Sequence, residues 1–198
     1  MNKKELIESL RNHGFSERII RAFERVDREN FIPEKEKKYA YEDTALPIGY
    51  MQTISQPYTI AFMLDLFELK DKQKILEVGS GSGYVLALLS QLSPQGKIFG
   101  IERIKELAEN SRKKLKKYRN IKIIHGSGFR GVKEEAPFDR ILVSASAESI
   151  PKNLINQLKN NGILVIPVRD SILKIQKTKE GNKVEEHHGF RFVPLIEK

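Results

Sequence analysis

Near the start of the chain apolar residues recur at helical spacing in two stretches, Leu6, Ile7 and Leu10 and then Ile19, Ile20 and Phe23, with Gly14 between them. That spacing predicts two short helices. Residues 27–56 show no sustained periodicity and carry Pro33, Pro47 and Gly49. They predict a long connection, and connections of such length in compact domains are commonly functional. Helical spacing resumes with Ile60, Ala61, Met63, Leu64 and Phe67 behind Pro57, a residue suited to a first helical turn. From Lys74 onward short apolar runs alternate with helical stretches. The runs are 75–78, 97–102, 121–124, 138–143 and 163–168, and the stretches 84–92, 104–118 and 154–158 lie between them. This alternation predicts an α/β fold built on a doubly wound, mostly parallel sheet. After Pro167 two strand-like runs, 171–178 and 184–194, are joined at Glu180-Gly181-Asn182, which predicts a closing antiparallel hairpin.

At 198 residues, with 39% hydrophobic and 31% charged positions, the chain is sized for one globular domain. Three regions are expected within it: 1–73, helical and loop-rich; 74–168, the sheet core; and 169–198, the hairpin. The absence of cysteine excludes disulfides, thiolate metal sites and a cysteine nucleophile. The start of the chain leads into no signal-type apolar core, and the longest apolar runs fall far short of the roughly 20 residues that span a bilayer. A cytoplasmic location without a membrane partner is the expectation. The net charge of +9 and a pI near 9.6 bias the chain toward acidic partners. Arg112, Lys113, Lys114, Lys116, Lys117 and Arg119 could reach RNA phosphates, but their helical placement reads as the solvated face of a crossover helix. His187 and His188 are adjacent in a strand-like run and point to opposite faces, and His13 and His125 lack evident ligand partners; no metal site is expected.

The segment with the clearest chemistry is Gly79-Ser80-Gly81-Ser82-Gly83, which follows a predicted strand and opens a predicted helix. There a ligand can approach backbone unobstructed by side chains. Its G-x-G-x-G spacing satisfies neither the dinucleotide fingerprint nor the P-loop pattern, so a pyrophosphate or triphosphate ligand is disfavoured. Glu102 ends the second strand of the sheet, 19 residues past Gly83, where a carboxylate can accept from ribose hydroxyls. Glu77 lies just before the glycines, near where an ammonium or sulfonium would sit. A nucleoside that is cationic and phosphate-free is indicated, and S-adenosyl-L-methionine fits.

The stretch from Tyr41 to Pro57, and within it Leu46 to Pro57, resembles the segment that marks protein-L-isoaspartate O-methyltransferases. The resemblance continues through Leu76 to Tyr84, Ile101-Glu102-Arg103-Ile104, Pro137-Phe138-Asp139, Gln157-Leu158-Lys159 and Gly162 to Val168. It closes on Arg191-Phe192-Val193-Pro194-Leu195 and covers nearly the whole chain. It implies a Rossmann-like, seven-stranded methyltransferase sheet with N-terminal helices and a C-terminal antiparallel hairpin. The implied activity is methyl transfer from S-adenosyl-L-methionine to the free carboxylate of L-isoaspartyl residues in damaged proteins, by a monomer with no nucleic-acid partner. On the same basis Ser55 is the active-site hydroxyl, with a helix N-cap as the alternative role. Gln52, Thr53 and Ile54 would line cofactor and substrate, and Glu77, Gly79, Ser80, Gly81, Gly83, Glu102, Ser127 and Gly128 would bind cofactor.

The chain departs from the family's pattern where Gly126-Ser127-Gly128 replaces Gly-Asp-Gly, so the residue expected to face the adenine amine carries no charge. Arg169 and Ser146 are further departures. Two other readings remain open from sequence: a methyltransferase acting on RNA or another acceptor, and a relative that binds cofactor without turnover. A carbon methyltransferase for pyrimidines is opposed by the missing cysteine. The end of the fourth strand, Ser144-Ala145-Ser146-Ala147, lacks the acidic or Asn-Pro-Pro-aromatic group expected for amino methylation.

Overall fold

The computed structural model describes residues 1–196. Helix α1 (Lys3–Asn12) starts from a capping box, in which the Asn2 side chain accepts from the Glu5 amide and the Glu5 carboxylate accepts from the Asn2 amide. Each partner thereby satisfies a donor that a helix start otherwise leaves orphaned. It buries Leu6, Ile7 and Leu10, and Gly14, at φ +84°, turns the chain into α2 (Glu17–Arg25), which buries Ile19, Ile20, Ala22 and Phe23. Arg18 of α2 donates to the carbonyls of Leu69 and Leu92, tying the helical layer to the body of the fold.

The connection over 27–56 is more ordered than its lack of periodicity implies. It forms 3₁₀ turns at Arg28–Phe31 and Glu34–Tyr39 and then a small antiparallel hairpin, β1 (Leu46–Gly49) with β2 (Gln52–Ile54). Elements of three to six residues hold too little sequence to display a period. Helix α3 (Pro57–Leu66) follows with Pro57 in its first turn.

The predicted alternation is present as β3 (Lys74–Val78), α4 (Tyr84–Leu92), β4 (Lys97–Glu102), α5 (Lys105–Lys114), β5 (Ile121–His125), β6 (Phe138–Val143), α6 (Lys152–Asn156) and β7 (Leu158–Val168). Two antiparallel strands, β8 (Ser171–Thr178) and β9 (Gly181–His188), complete a seven-stranded sheet of order β5-β4-β3-β6-β7-β8-β9. All pairs from β5 to β7 are parallel. Both faces of the sheet are covered: Ile75 joins the cluster beneath α1 to α4, whereas Leu76 and Val78 join a second cluster with Phe138, Ile141 and Leu164. Strand order reverses between β3 and β6, and ligands of open α/β sheets bind outside the carboxyl ends of strands at such a point.

Three elements differ by more than two residues from the pattern along the chain. Helix α5 ends at Lys114, short of Tyr118, and all six cations of the basic run are exposed. Strand β7 starts at Leu158, earlier than its apolar run, because Leu158 pairs with Phe138 across a register shift. Strand β9 begins at Gly181 and leaves the sheet at Gly189, at φ +95°, where the amides of Gly189 and Phe190 both donate to the Asp170 carbonyl. The closing turn therefore falls one to two residues earlier than Glu180-Gly181-Asn182, and residues 189–194 lie outside the hairpin. His187 packs edge-on against Phe62, and the ring of His188 hydrogen-bonds with Ser171. Among the described residues no group of three His, Cys, Asp or Glu side chains is placed to hold a metal, and no helix is long and apolar enough to cross a membrane.

Candidate active site

The turn between β3 and α4 is held by its own backbone. The amides of Gly79 and Ser80 both donate to the Ile101 carbonyl, at 2.9 and 3.2 Å, and Gly79, Gly81 and Gly83 all have φ between +50° and +88°, a region open to glycine at no steric cost. The Gly81 amide donates to Glu102 Oε2 at 2.9 Å and the Ile104 amide to Glu102 Oε1 at 2.8 Å. Glu102 thus fixes the glycine turn from the neighbouring strand and still lines the cleft beside it. Gly83 serves packing: a Cβ there would come within 2.7 Å of the Leu115 side chain.

Glu77 is fully buried at the base of the inner cleft. Its Oε1 accepts from the Ser144 hydroxyl at 2.8 Å, while Oε2 has no hydrogen-bond partner among the described residues. Burial pushes the carboxyl up to about 8, the Ser144 hydrogen bond opposing the shift and Glu102 adding to it. A carboxyl raised in the folded state stabilises the fold fully below its unfolded value, and that contribution is lost as pH rises through the folded one. Stability should therefore fall between pH 4.5 and 8 on account of this group. Glu77→Gln does not titrate, so its stability relative to the parent should climb by on the order of a few kcal/mol from pH 5 to pH 9 in urea unfolding. A constant difference across that range would contradict the assignment.

The β1–β2 hairpin stands over this turn. Ile48 approaches Gly81 so closely that a Cβ added there would lie 3.2 Å from its Cδ1, and Thr53, Ile54 and Ser55 line the inner cleft together with Glu77. The hairpin reverses at Tyr50 and Met51, at φ +54° and +56°, each costing on the order of 1 kcal/mol relative to glycine. The alternative role for Ser55 is not realised. Gln56 is the N-cap of α3, and the side chain that reaches the helix start is Asp43, which accepts from the Tyr58 amide at 2.7 Å. The Ser55 hydroxyl has no hydrogen-bond partner among the described residues, but its carbonyl does. Arg28, fully buried, donates through Nη1 to the carbonyls of Ala40 and Glu42 at 2.9 and 3.1 Å, and through Nη2 to those of Thr44 and Ser55 at 2.8 and 3.1 Å. Burial lowers this guanidinium to about 10, so it remains charged at neutral pH.

Three open clefts adjoin at the switch point. The inner one, about 470 Å³, contains Thr53, Ile54, Ser55, Glu77, Gly79, Ser80 and Gly81 in its wall. A second, about 520 Å³, contains Gln52, Thr53, Gly79, Gly81, Glu102 and Gly128. A third, about 700 Å³, contains Thr53, Ser55, Thr59, Ser144 and Arg191. Of the residues expected from sequence, all but Gly83 and Ser127 line the first two. Ser127 sits between Gly126 and the 3₁₀ turn Gly128–Arg130, at the end of β5. The unpartnered Oε2 of Glu77 and the side-chain-free backbone at Gly79 and Gly81 suit a cation joined to a nucleoside, so these residues fit S-adenosyl-L-methionine.

A family model described as Protein-L-isoaspartate(D-aspartate) O-methyltransferase (PCMT) matches residues 1–198. The chain belongs to that family. It is 47% identical over 204 residues to the protein-L-isoaspartate O-methyltransferase of Methanothrix thermoacetophila, covering 100% of this chain and 96% of the relative. It is 44% identical over 206 residues to that of Ignicoccus hospitalis, covering 99% and 98%. The fold superposes, with a TM-score of 0.87 and 29% identity over the whole of both chains, on a crystal structure described as a Plasmodium falciparum protein-L-isoaspartate O-methyltransferase in complex with S-adenosyl-L-homocysteine.

Within this isoaspartate methyltransferase fold, two residues that support the walls of the clefts are not evident from sequence. Ser144 directly follows β6 and supports Glu77; the signal for it is strand order, since β6 is the other parallel neighbour of β3. Arg28 carries no such signal, because its four acceptors are spread from residue 40 to residue 55.

Proposed function

We propose that this chain transfers a methyl group from S-adenosyl-L-methionine to the free carboxylate of L-isoaspartyl residues in damaged proteins. Regions 1–73, 74–168 and 169–198 would act as one catalytic unit, since residues from all three meet at the clefts. The observation that carries the reading is the place of Ser55, whose residue lies in the wall shared by the inner cleft of Glu77 and the outer cleft of Arg191. When bound, the cofactor supplies a methyl carbon on a positively charged sulfur, and the carbon–sulfur electron pair leaves with the sulfur.

The residues around it have positioning to do and no proton to remove. A carboxylate acceptor is already ionised at neutral pH, so no general base is required. Ser55 and Thr53 donate to one carboxylate oxygen and leave the other aimed at the inner cleft. Holding the reacting atoms in line can supply several kcal/mol of the barrier. Arg191, at the rim, gives the outer cleft a positive charge that suits an anionic acceptor. Glu102 accepts from the ribose, and Glu77, drawn back to its ionised form by a nearby cation, balances that charge.

Offering S-adenosyl-L-methionine with an isoaspartyl peptide, its aspartyl twin and bulk tRNA, and counting methyl groups on each, tests the reading. Labelling confined to the isoaspartyl peptide is expected. Labelling of tRNA alone, or of both peptides equally, would overturn it. At the cofactor site, Ser127→Asp places an acceptor of full charge where the adenine amine is expected. It should tighten S-adenosyl-L-homocysteine binding by about five- to tenfold; calorimetry giving unchanged or weaker binding would contradict that role for position 127.

A further inference from the structure

The tip of the β1–β2 hairpin presents two large apolar side chains to solvent, with Met51 95% and Tyr50 51% exposed. Both residues occupy the left-handed region, where a turn that had only to reverse the chain would be met by Asn-Gly. The turn is nevertheless well formed: Gly49 pairs with Gln52, and the Gln52 side chain donates through Nε2 back to the Tyr50 carbonyl at 3.2 Å. Strained backbone that displays exposed apolar groups is a signature of sites where the side chain itself is used. Strand β2 runs from this tip directly to Thr53, which lines all three clefts. At about 3.3 Å per residue the tip stands roughly 7 Å from Thr53, the reach of two residues of an extended chain.

We infer that Tyr50 and Met51 form an apolar clamp for the polypeptide that carries the isoaspartyl residue, gripping an apolar side chain about two residues away from it. The occupant is an extended substrate segment because the hairpin is continuous with the substrate cleft and its tip is covered by nothing else among the described residues. The clamp selects locally unfolded chain, since a side chain can reach the tip only if the backbone beside the damaged residue is free of its own secondary structure. This inference rests on the proposed activity.

The test uses fluorescent isoaspartyl peptides with leucine or with serine two residues to either side of the damaged position. Their affinity is read by anisotropy with S-adenosyl-L-homocysteine present, and their turnover separately. The parent chain is expected to bind the leucine peptide about tenfold more tightly than the serine peptide, the order expected for one buried apolar anchor. Met51→Gly, and Met51→Gly with Tyr50→Asn, should remove that preference, leave kcat and S-adenosyl-L-homocysteine affinity within twofold, and raise the melting temperature by relieving the turn. A leucine preference that survives both variants overturns the inference, as does a changed cofactor affinity, which would make the tip a cofactor lid, or a changed sedimentation mass, which would make it a contact between copies of the chain. Leucine-dependent binding without methylation of either peptide would sink the proposed activity alone; methylation with no leucine preference would sink the clamp alone.

Discussion

Glu102→Gln is expected to weaken S-adenosyl-L-homocysteine binding by up to about a hundredfold, because the hydrogen bond from the ribose to a charged carboxylate, worth about 1.5–3 kcal/mol, loses its charged acceptor. In the free protein Glu102 accepts from the amides of Gly81 and Ile104. Glutamine keeps one oxygen and turns an NH₂ toward the second amide, donor against donor. Either the Gly81 amide or the Ile104 amide then loses its acceptor, and the ribose loses a charged one. The overall fold should persist, since the Gly79 and Ser80 amides remain bonded to Ile101. Calorimetry with S-adenosyl-L-homocysteine checks this, and an affinity within threefold of the parent would show that Glu102 serves the fold alone.

Replacing Arg28 by methionine should lower unfolding free energy by about 3–5 kcal/mol, because four backbone carbonyls lose their charged donor at about 1–3 kcal/mol each, offset in part by no longer burying a guanidinium. Methionine fills part of the space and avoids burying a charge. It leaves the carbonyls of Ala40, Glu42, Thr44 and Ser55 without their shared donor, and the segment that carries Ser55 loses its anchor. Turnover should fall on the order of a hundredfold in variant protein that remains folded, because misplacement of about 1 Å at a positioning group has effects of that size. Arg28→Lys should recover only part of either loss. A compact ammonium cannot reproduce the planar fork that reaches four acceptors. Urea unfolding together with initial rates on an isoaspartyl peptide decides the matter; a methionine variant of parental stability and rate would remove Arg28 from the account.

The parts legible in the sequence are those whose physics is local or periodic. Buried parallel strands read as apolar runs, the glycine turn announces itself because backbone at positive φ needs glycine, and Glu102 falls at a spacing set by one strand–helix–strand unit. The hairpin over the site is different. Its strands are four and three residues long, and Tyr50-Met51 hides a turn that Asn-Gly would have revealed. Arg28 lies in Asp27-Arg28-Glu29-Asn30, which reads as surface charge, and only the assembled fold surrounds it with carbonyls. The N-terminus of α3 shows the same limit: Ser55 has the residue type and nearly the position of a cap, yet Asp43, fifteen residues before Tyr58, makes the bond. Strand β9 is exposed along nearly its whole length, so no burial pattern marks where it ends, and Gly189 alone sets the exit.

The donor's methyl and the acceptor's carboxylate are expected to meet between the glycine turn and Ser55. A crystal structure with S-adenosyl-L-homocysteine and an isoaspartyl peptide measures this directly. Ribose hydroxyls are expected on Glu102, the amino acid portion above Glu77, and a peptide carboxylate oxygen within hydrogen-bond reach of the Ser55 hydroxyl. A nucleoside bound elsewhere, or a peptide carboxylate seated away from Ser55 with the 46–57 segment swung clear of the cleft, would contradict it.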